Sequence, residues 1–136
     1  MLFFGNAPQI MYCRDNFVFP YSALHNVTFV GISDIAWNAP LHQNGFINDD
    51  EVAELVELGA VGEIAGWAYD RQGILLQQGI NTRVASIPLE QPAQRLIIGV
   101  AGGEKKAEAI LAALRGKLIS GLIVDEAPAQ AILTIS

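Results

Sequence analysis

Late in the chain an apolar run, Arg95-Leu96-Ile97-Ile98-Gly99-Val100-Ala101, ends in the pair Gly102-Gly103. It passes directly into Glu104-Lys105-Lys106-Ala107-Glu108, a strongly helical sequence with lysines in its first turn. Residues of these types in this order build an anion site. A strand delivers the backbone to a sheet edge, glycines let it approach a ligand, and a helix N-terminus with a lysine meets negative charge. Glycine pairs also serve turn geometry alone, so the motif gains weight only from its surroundings. A lysine in a first helical turn opposes the helix dipole, and Lys106 therefore needs another benefit to sit there.

Two further strand ends carry polar groups. The run Val27-Thr28-Phe29-Val30-Gly31-Ile32-Ser33 closes on Gly31 and Ser33, and Leu122-Ile123-Val124 closes on Asp125-Glu126. Acids at a helix start are favoured by capping and the dipole alone, so Asp125 and Glu126 have an ordinary explanation beside a functional one. Glu63 lies between Gly62 and Gly66, which leave room for a chain or a ligand. Arg83 has the geometry to clamp a phosphate with two parallel bonds or to pair with a surface acid. Trp37 and Trp67 offer faces on which a sugar ring stacks, or packing surface. His25 and His42 stand without Cys or acidic partners at metal spacing, which argues against zinc. Ser33 and Ser86 lack a nucleophile-elbow context.

The elements that must position these groups follow from periodicity. Residues 27–33 and 95–101 read as continuous apolar strands, the pattern of a buried parallel sheet. Residues 34–47 read as a loop. A helix is predicted from Asn48 or Asp49 to Gly59, with acids at its positive end. Residues 62–69 alternate like one strand, Asp70-Arg71-Gln72-Gly73 reads as a turn, and Ile74-Leu75-Leu76 as the returning arm of a hairpin. Thr82 to Ile87 reads as another strand. A helix is predicted over Glu104–Lys117, a short strand over 122–124, and a last helix from Asp125-Glu126 with Pro128 in its first turn. The closing β-α-β-α order implies an α/β fold with a parallel sheet. In such sheets ligands bind beyond the carboxyl ends of the strands, where Gly31, Ser33, Gly102, Gly103 and Asp125 converge.

Composition narrows the function classes. Fourteen acids against eight bases leave a formal charge of -6, which argues against this chain gripping nucleic acid itself. Its 136 residues, half of them hydrophobic, suffice for one domain with a real core. The lone Cys13 forms no internal disulfide and suits a reducing, cytoplasmic setting. No apolar run reaches the length of a membrane span, and no cofactor is expected.

Asn26 to Leu133 resembles the effector-binding domain of the SorC family of sugar-responsive bacterial transcriptional regulators. The blocks NVTFVGIS, GFINDDEVAEL, GAVGEIAGWAYDRQG, INTRVASIPLE and RLIIGVAGGEKKAEAILAALRGKLISGLIVDEA stand in family order and spacing. The resemblance implies a three-layer fold like that of glucosamine-6-phosphate deaminase and ribose-5-phosphate isomerase, incomplete at the N-terminus. It implies a phosphorylated sugar as ligand, a homo-oligomer, and DNA contact only through an N-terminal helix-turn-helix domain that these residues do not contain. It assigns Glu63 to ligand hydroxyls, Lys106 to the ligand after the Gly102-Gly103 turn, Asn81 and Arg83 to a block near the pocket, and Asp125 with Glu126 to an acidic pair. Residues 1–26 do not match the family and are expected to be irregular; residues 27–136 form the later part of the domain. Two other functions remain open: a sugar-phosphate isomerase or deaminase of the same fold, and a truncated fragment that only oligomerises.

Overall fold

Three strands with apolar, partly β-branched sequences form the parallel part of the sheet. They are β1 (Val27–Asp34), β4 (Leu96–Ala101) and β5 (Gly121–Val124), in a computed structural model that describes residues 27–86 and 88–135. The segment 1–26, with Cys13 and His25, and also Ile87, lie outside the described residues. Between β1 and β4 come α1 (Pro40–Gln43), α2 (Asp49–Glu57), β2 (Ala60–Ile64) and β3 (Trp67–Asp70), followed by a 3-10 turn over Gly79–Arg83. A second 3-10 turn over Glu104–Lys106 leads into α3 (Ala107–Arg115), and α4 (Glu126–Ile135) closes the chain.

The sheet order is β3-β2-β1-β4-β5. β1, β4 and β5 run parallel, as expected, while β2 and β3 add an antiparallel hairpin at one side. The sheet is therefore mixed rather than wholly parallel. The hairpin also turns earlier than its alternation suggests. Residues 62–69 are not one strand: they fold back at Ala65-Gly66, with φ of 52° and 89°. Positive φ at both turn positions matches the twist of a two-residue hairpin, and glycine takes it without strain. The Asp70–Gly73 turn exists, but its returning arm makes only an isolated bridge, Leu75 to Tyr69. Residues 82–86 hold no strand; Arg83 ends a 3-10 turn and Val84 follows in extended conformation outside the sheet. The helix predicted over Glu104–Lys117 opens instead as a 3-10 turn, and the loop predicted over 34–47 includes α1.

Helices pack on both faces. Ile32, Ile64 and Tyr69 join Ile110, Ala113, Leu122 and Ile132 in one buried cluster with α3 and α4. Ala60 and Ala68 join Val52, Leu55 and Ile80 in a second cluster under α2. Neighbouring residues of a strand face opposite sides, so Ala68 and Tyr69 place α2 and α3 on opposite faces of the hairpin. α2 begins with a reciprocal cap: the Asn48 side chain accepts from the Glu51 N–H at 2.9 Å, and the Glu51 carboxylate accepts from the Asn48 N–H at 2.8 Å. Farther along the α2 face the sheet is less covered, with Leu96 45% and Val100 37% exposed. The loop after β3 meets the end of α3 backbone to backbone. A Cβ on Gly73 would collide with the Ala112 carbonyl oxygen, and one on Gly116 with the Gly73 carbonyl. The Gln91 side-chain amide donates to both the Gly73 and Gly116 carbonyls, at 2.6 and 3.0 Å. Among the described residues no helix is long and apolar enough to cross a membrane.

Candidate functional site

The carboxyl ends of β1, β4 and β5 gather most of the residues singled out above. Ser33 lies near the end of β1, and its register partner across the β1–β2 ladder is Glu63. Gly102 and Gly103 follow β4, and Lys106 ends the 3-10 turn that comes next. Gly103 takes φ of 93° and serves as the cap of that turn. Asp125 follows β5, and its carboxylate accepts from the Gly103 N–H at 3.4 Å. The acid thus braces the glycine turn from the neighbouring strand end. Glu126 begins α4, where an acid suits the dipole.

Glu63 is the distinctive group. Only 7% of it is exposed, and carboxylates are seldom buried so far without partners. Its carboxylate accepts from the Gly66 N–H at 2.7 Å, the Ser33 hydroxyl facing it across the ladder favours its charge, and the Lys106 ammonium acts on it through space. Burial outweighs these three influences and holds the Glu63 carboxyl above the ordinary range. Beneath it, Tyr69 donates its hydroxyl to the Ala109 carbonyl at 3.0 Å. Burial, with the Glu63 charge adding to it, pushes the Tyr69 phenol upward, so it stays neutral. A buried acceptor next to the end of parallel β1, within electrostatic reach of a cation, suits a ligand with both hydroxyls and negative charge.

Asn81 and Arg83 are placed differently. Asn81 is buried, and its side chain serves backbone: Oδ1 accepts from the Ala68 N–H, and Nδ2 donates to the Ala68 and Leu76 carbonyls, each at 2.8 Å. Arg83 pairs with Glu51 at the start of α2. Trp37 meets the His42 ring edge-on, with centroids 5.6 Å apart. His42 contacts Asp49 at 2.7 Å, an acidic partner that sequence spacing did not suggest. Sequence reasoning placed Ser33 at a strand end but missed its pairing with Glu63 across the ladder. The signal lies in register, which the expected single strand over residues 62–69 concealed.

A family model described as "Putative sugar-binding domain" matches residues 17–134. The chain belongs to this sugar-binding domain family. Its relatives are transcriptional regulators. The Transcriptional regulator LsrR of Klebsiella pneumoniae is 37% identical over 112 residues, covering 81% of this chain and 35% of the relative. The Erythritol catabolism regulatory protein EryD of Brucella abortus is 33% identical over 116 residues, covering 85% of this chain and 37% of the relative. Among solved structures, a DeoR family transcriptional regulator from Listeria monocytogenes superposes with a TM-score of 0.73 at 28% identity, covering 79% of this chain and 44% of that one. The full-length sorbitol operon regulator SorC from Klebsiella pneumoniae gives 0.69 at 29% identity, covering 82% and 36%. The sugar-binding domain described here spans about a third of the length of the curated relatives it matches.

Proposed function

We propose that this sugar-binding domain senses a phosphorylated sugar and, joined to a helix-turn-helix domain, controls a carbohydrate-utilisation operon from the cytoplasm. The observation that carries the reading is the buried Glu63 carboxyl of β2 at the end of β1, with the Lys106 charge acting on it from beyond β4. Glu63 accepts sugar hydroxyls. Lys106 and the backbone of Gly102-Gly103 take the phosphate, and Asp125 holds that turn open for it. Asn81 and Arg83 enter as supports, fixing β3 and the start of α2 around the pocket. The ligand acts by favouring one arrangement of a homo-oligomer over another, since a ligand with equal affinity for both arrangements shifts nothing.

A thermal-shift screen of phosphorylated and free sugars, with inorganic phosphate as control, tests the reading. A ligand of the native state raises the melting midpoint by mass action. The expected result is a shift with a phosphosugar that is absent with the free sugar. Lys106→Ala should weaken that phosphosugar by about 1.5–3 kcal/mol, the range of a charge-assisted hydrogen bond. Unchanged affinity removes Lys106 from the site. Turnover of ribose 5-phosphate or glucosamine 6-phosphate, lost in Glu63→Gln, would replace the sensor reading with an enzymatic one, in which the same carboxyl acts as general base.

A further inference from the structure

We propose that Ser33 is a positioning residue of this site: its hydroxyl, donated across the β1–β2 ladder, aims the Glu63 carboxylate at the ligand's hydroxyls. The inference rests on the effector-site reading above and adds a residue to it. Ser33 and Glu63 are direct partners in the antiparallel ladder, so their side chains leave the same face of the sheet at close range. Glutamate has three side-chain torsions and would otherwise sample several rotamers. Here the Gly66 N–H holds one oxygen at 2.7 Å, and the Ser33 hydroxyl, on the directly opposite ladder residue, favours its charge. An ionised carboxylate has roughly four acceptor positions. The Gly66 N–H takes one, the Ser33 hydroxyl is placed to take a second, and the rest are left for what enters beyond the strand ends.

The other described serines with assigned donors spend them on backbone. Ser86 donates to the Ala65 carbonyl at 2.7 Å and Ser120 to the Arg95 carbonyl at 3.0 Å. Ser33 instead faces a buried carboxyl side chain at the end of a parallel strand, where ligands bind in such sheets. Ser86 fastens the same Ala65-Gly66 turn from outside, so the turn that aims the Gly66 N–H is itself anchored. The groups acting on Glu63 are Ser33 from β1, the Gly66 N–H from the turn, and Lys106 from beyond β4; its own charge acts in turn on Tyr69 of β3.

The test compares the full chain with Ser33→Ala and Ser33→Thr. Carboxyl-carbon NMR of 13C-glutamate-labelled protein follows the Glu63 titration without ligand. Ribose 5-phosphate and glucosamine 6-phosphate are then titrated across pH. A donor favours the ionised carboxylate, so Ser33→Ala should move the Glu63 midpoint upward, and Ser33→Thr should restore it. Phosphosugar affinity near neutral pH should fall about three- to tenfold in Ser33→Ala, the worth of one ordinary hydrogen bond, because Ser33 acts through Glu63 rather than on the ligand. The acid limb of the binding profile should move with the midpoint. An unchanged midpoint in Ser33→Ala, or a lowered affinity that Ser33→Thr does not rescue, overturns the proposal. A Glu63 midpoint that moves in Ser33→Ala, together with a wild-type chain that binds neither phosphosugar, supports the Ser33 contact and counts against the sugar reading instead.

Discussion

The burial of Glu63 comes at a cost to folding. Its folded-state carboxyl titrates above its unfolded value because burial disfavours the charge. The sign follows from linkage: between the two values the folded state holds more protons, so stability falls as pH rises through that window. The favourable contribution is complete below the ordinary glutamate range and lost above the raised folded value. Glu63→Gln keeps an oxygen to accept from Gly66 and removes the buried charge. Its melting midpoint should therefore exceed wild type at neutral pH, with the gain shrinking as pH falls toward 4.5, the ordinary glutamate value. Melting curves at several pH values check this, and a gain that does not vary with pH would mean that Glu63 is not the titrating group. Stability gained with binding lost is the pattern expected where a site strains the fold that holds it. Glu63 was legible as a candidate from its glycine neighbours. Its burial was not, because alternation along a strand names two faces without saying which one a helix covers.

At the scale of elements, continuous apolar runs disclosed β1, β4 and β5 without ambiguity, and the caps of α2 disclosed its start. The hairpin was harder. Its turn uses Ala65, a non-glycine at positive φ, so the usual Asn-Gly or Asp-Gly signature is absent, and the alternation runs unbroken across it. The segment after Gly79 misled for another reason: it contains β-branched residues, yet its place is set by a side chain. Asn81 bonds three backbone groups of β3 and the following loop, a tertiary device that no local pattern reports. Asn81→Ala should destabilise the chain by about 3 kcal/mol, since buried backbone groups left without partners cost roughly 1–3 kcal/mol each. Equilibrium urea unfolding measures it. A loss below half a kilocalorie would mean that water replaces the amide and that Asn81 is free for a ligand role.

At the scale of the whole molecule, the uneven covering of the sheet has a physical consequence. Leu96 and Val100 lie on one face of β4 and remain exposed, and contiguous apolar surface promotes association. The homo-oligomer proposed above thus has a face available to it. Sedimentation velocity should show concentration-dependent association that weakens about tenfold in the double substitution Leu96→Lys, Val100→Lys. A monomer at every concentration would count against it. The remaining feature is the backbone contact between Gly73 and Gly116, pinned by Gln91. It ties the hairpin to one end of α3, while Tyr69 bonds Ala109 and Arg71 reaches Glu108 near the other. Glu63 rides on that hairpin, and Lys106 immediately precedes that helix. Their backbone anchors are two jaws of one caliper, clamped behind the opening. In the proposed site, jaws so anchored would admit ligands by the span between their hydroxyls and their charge.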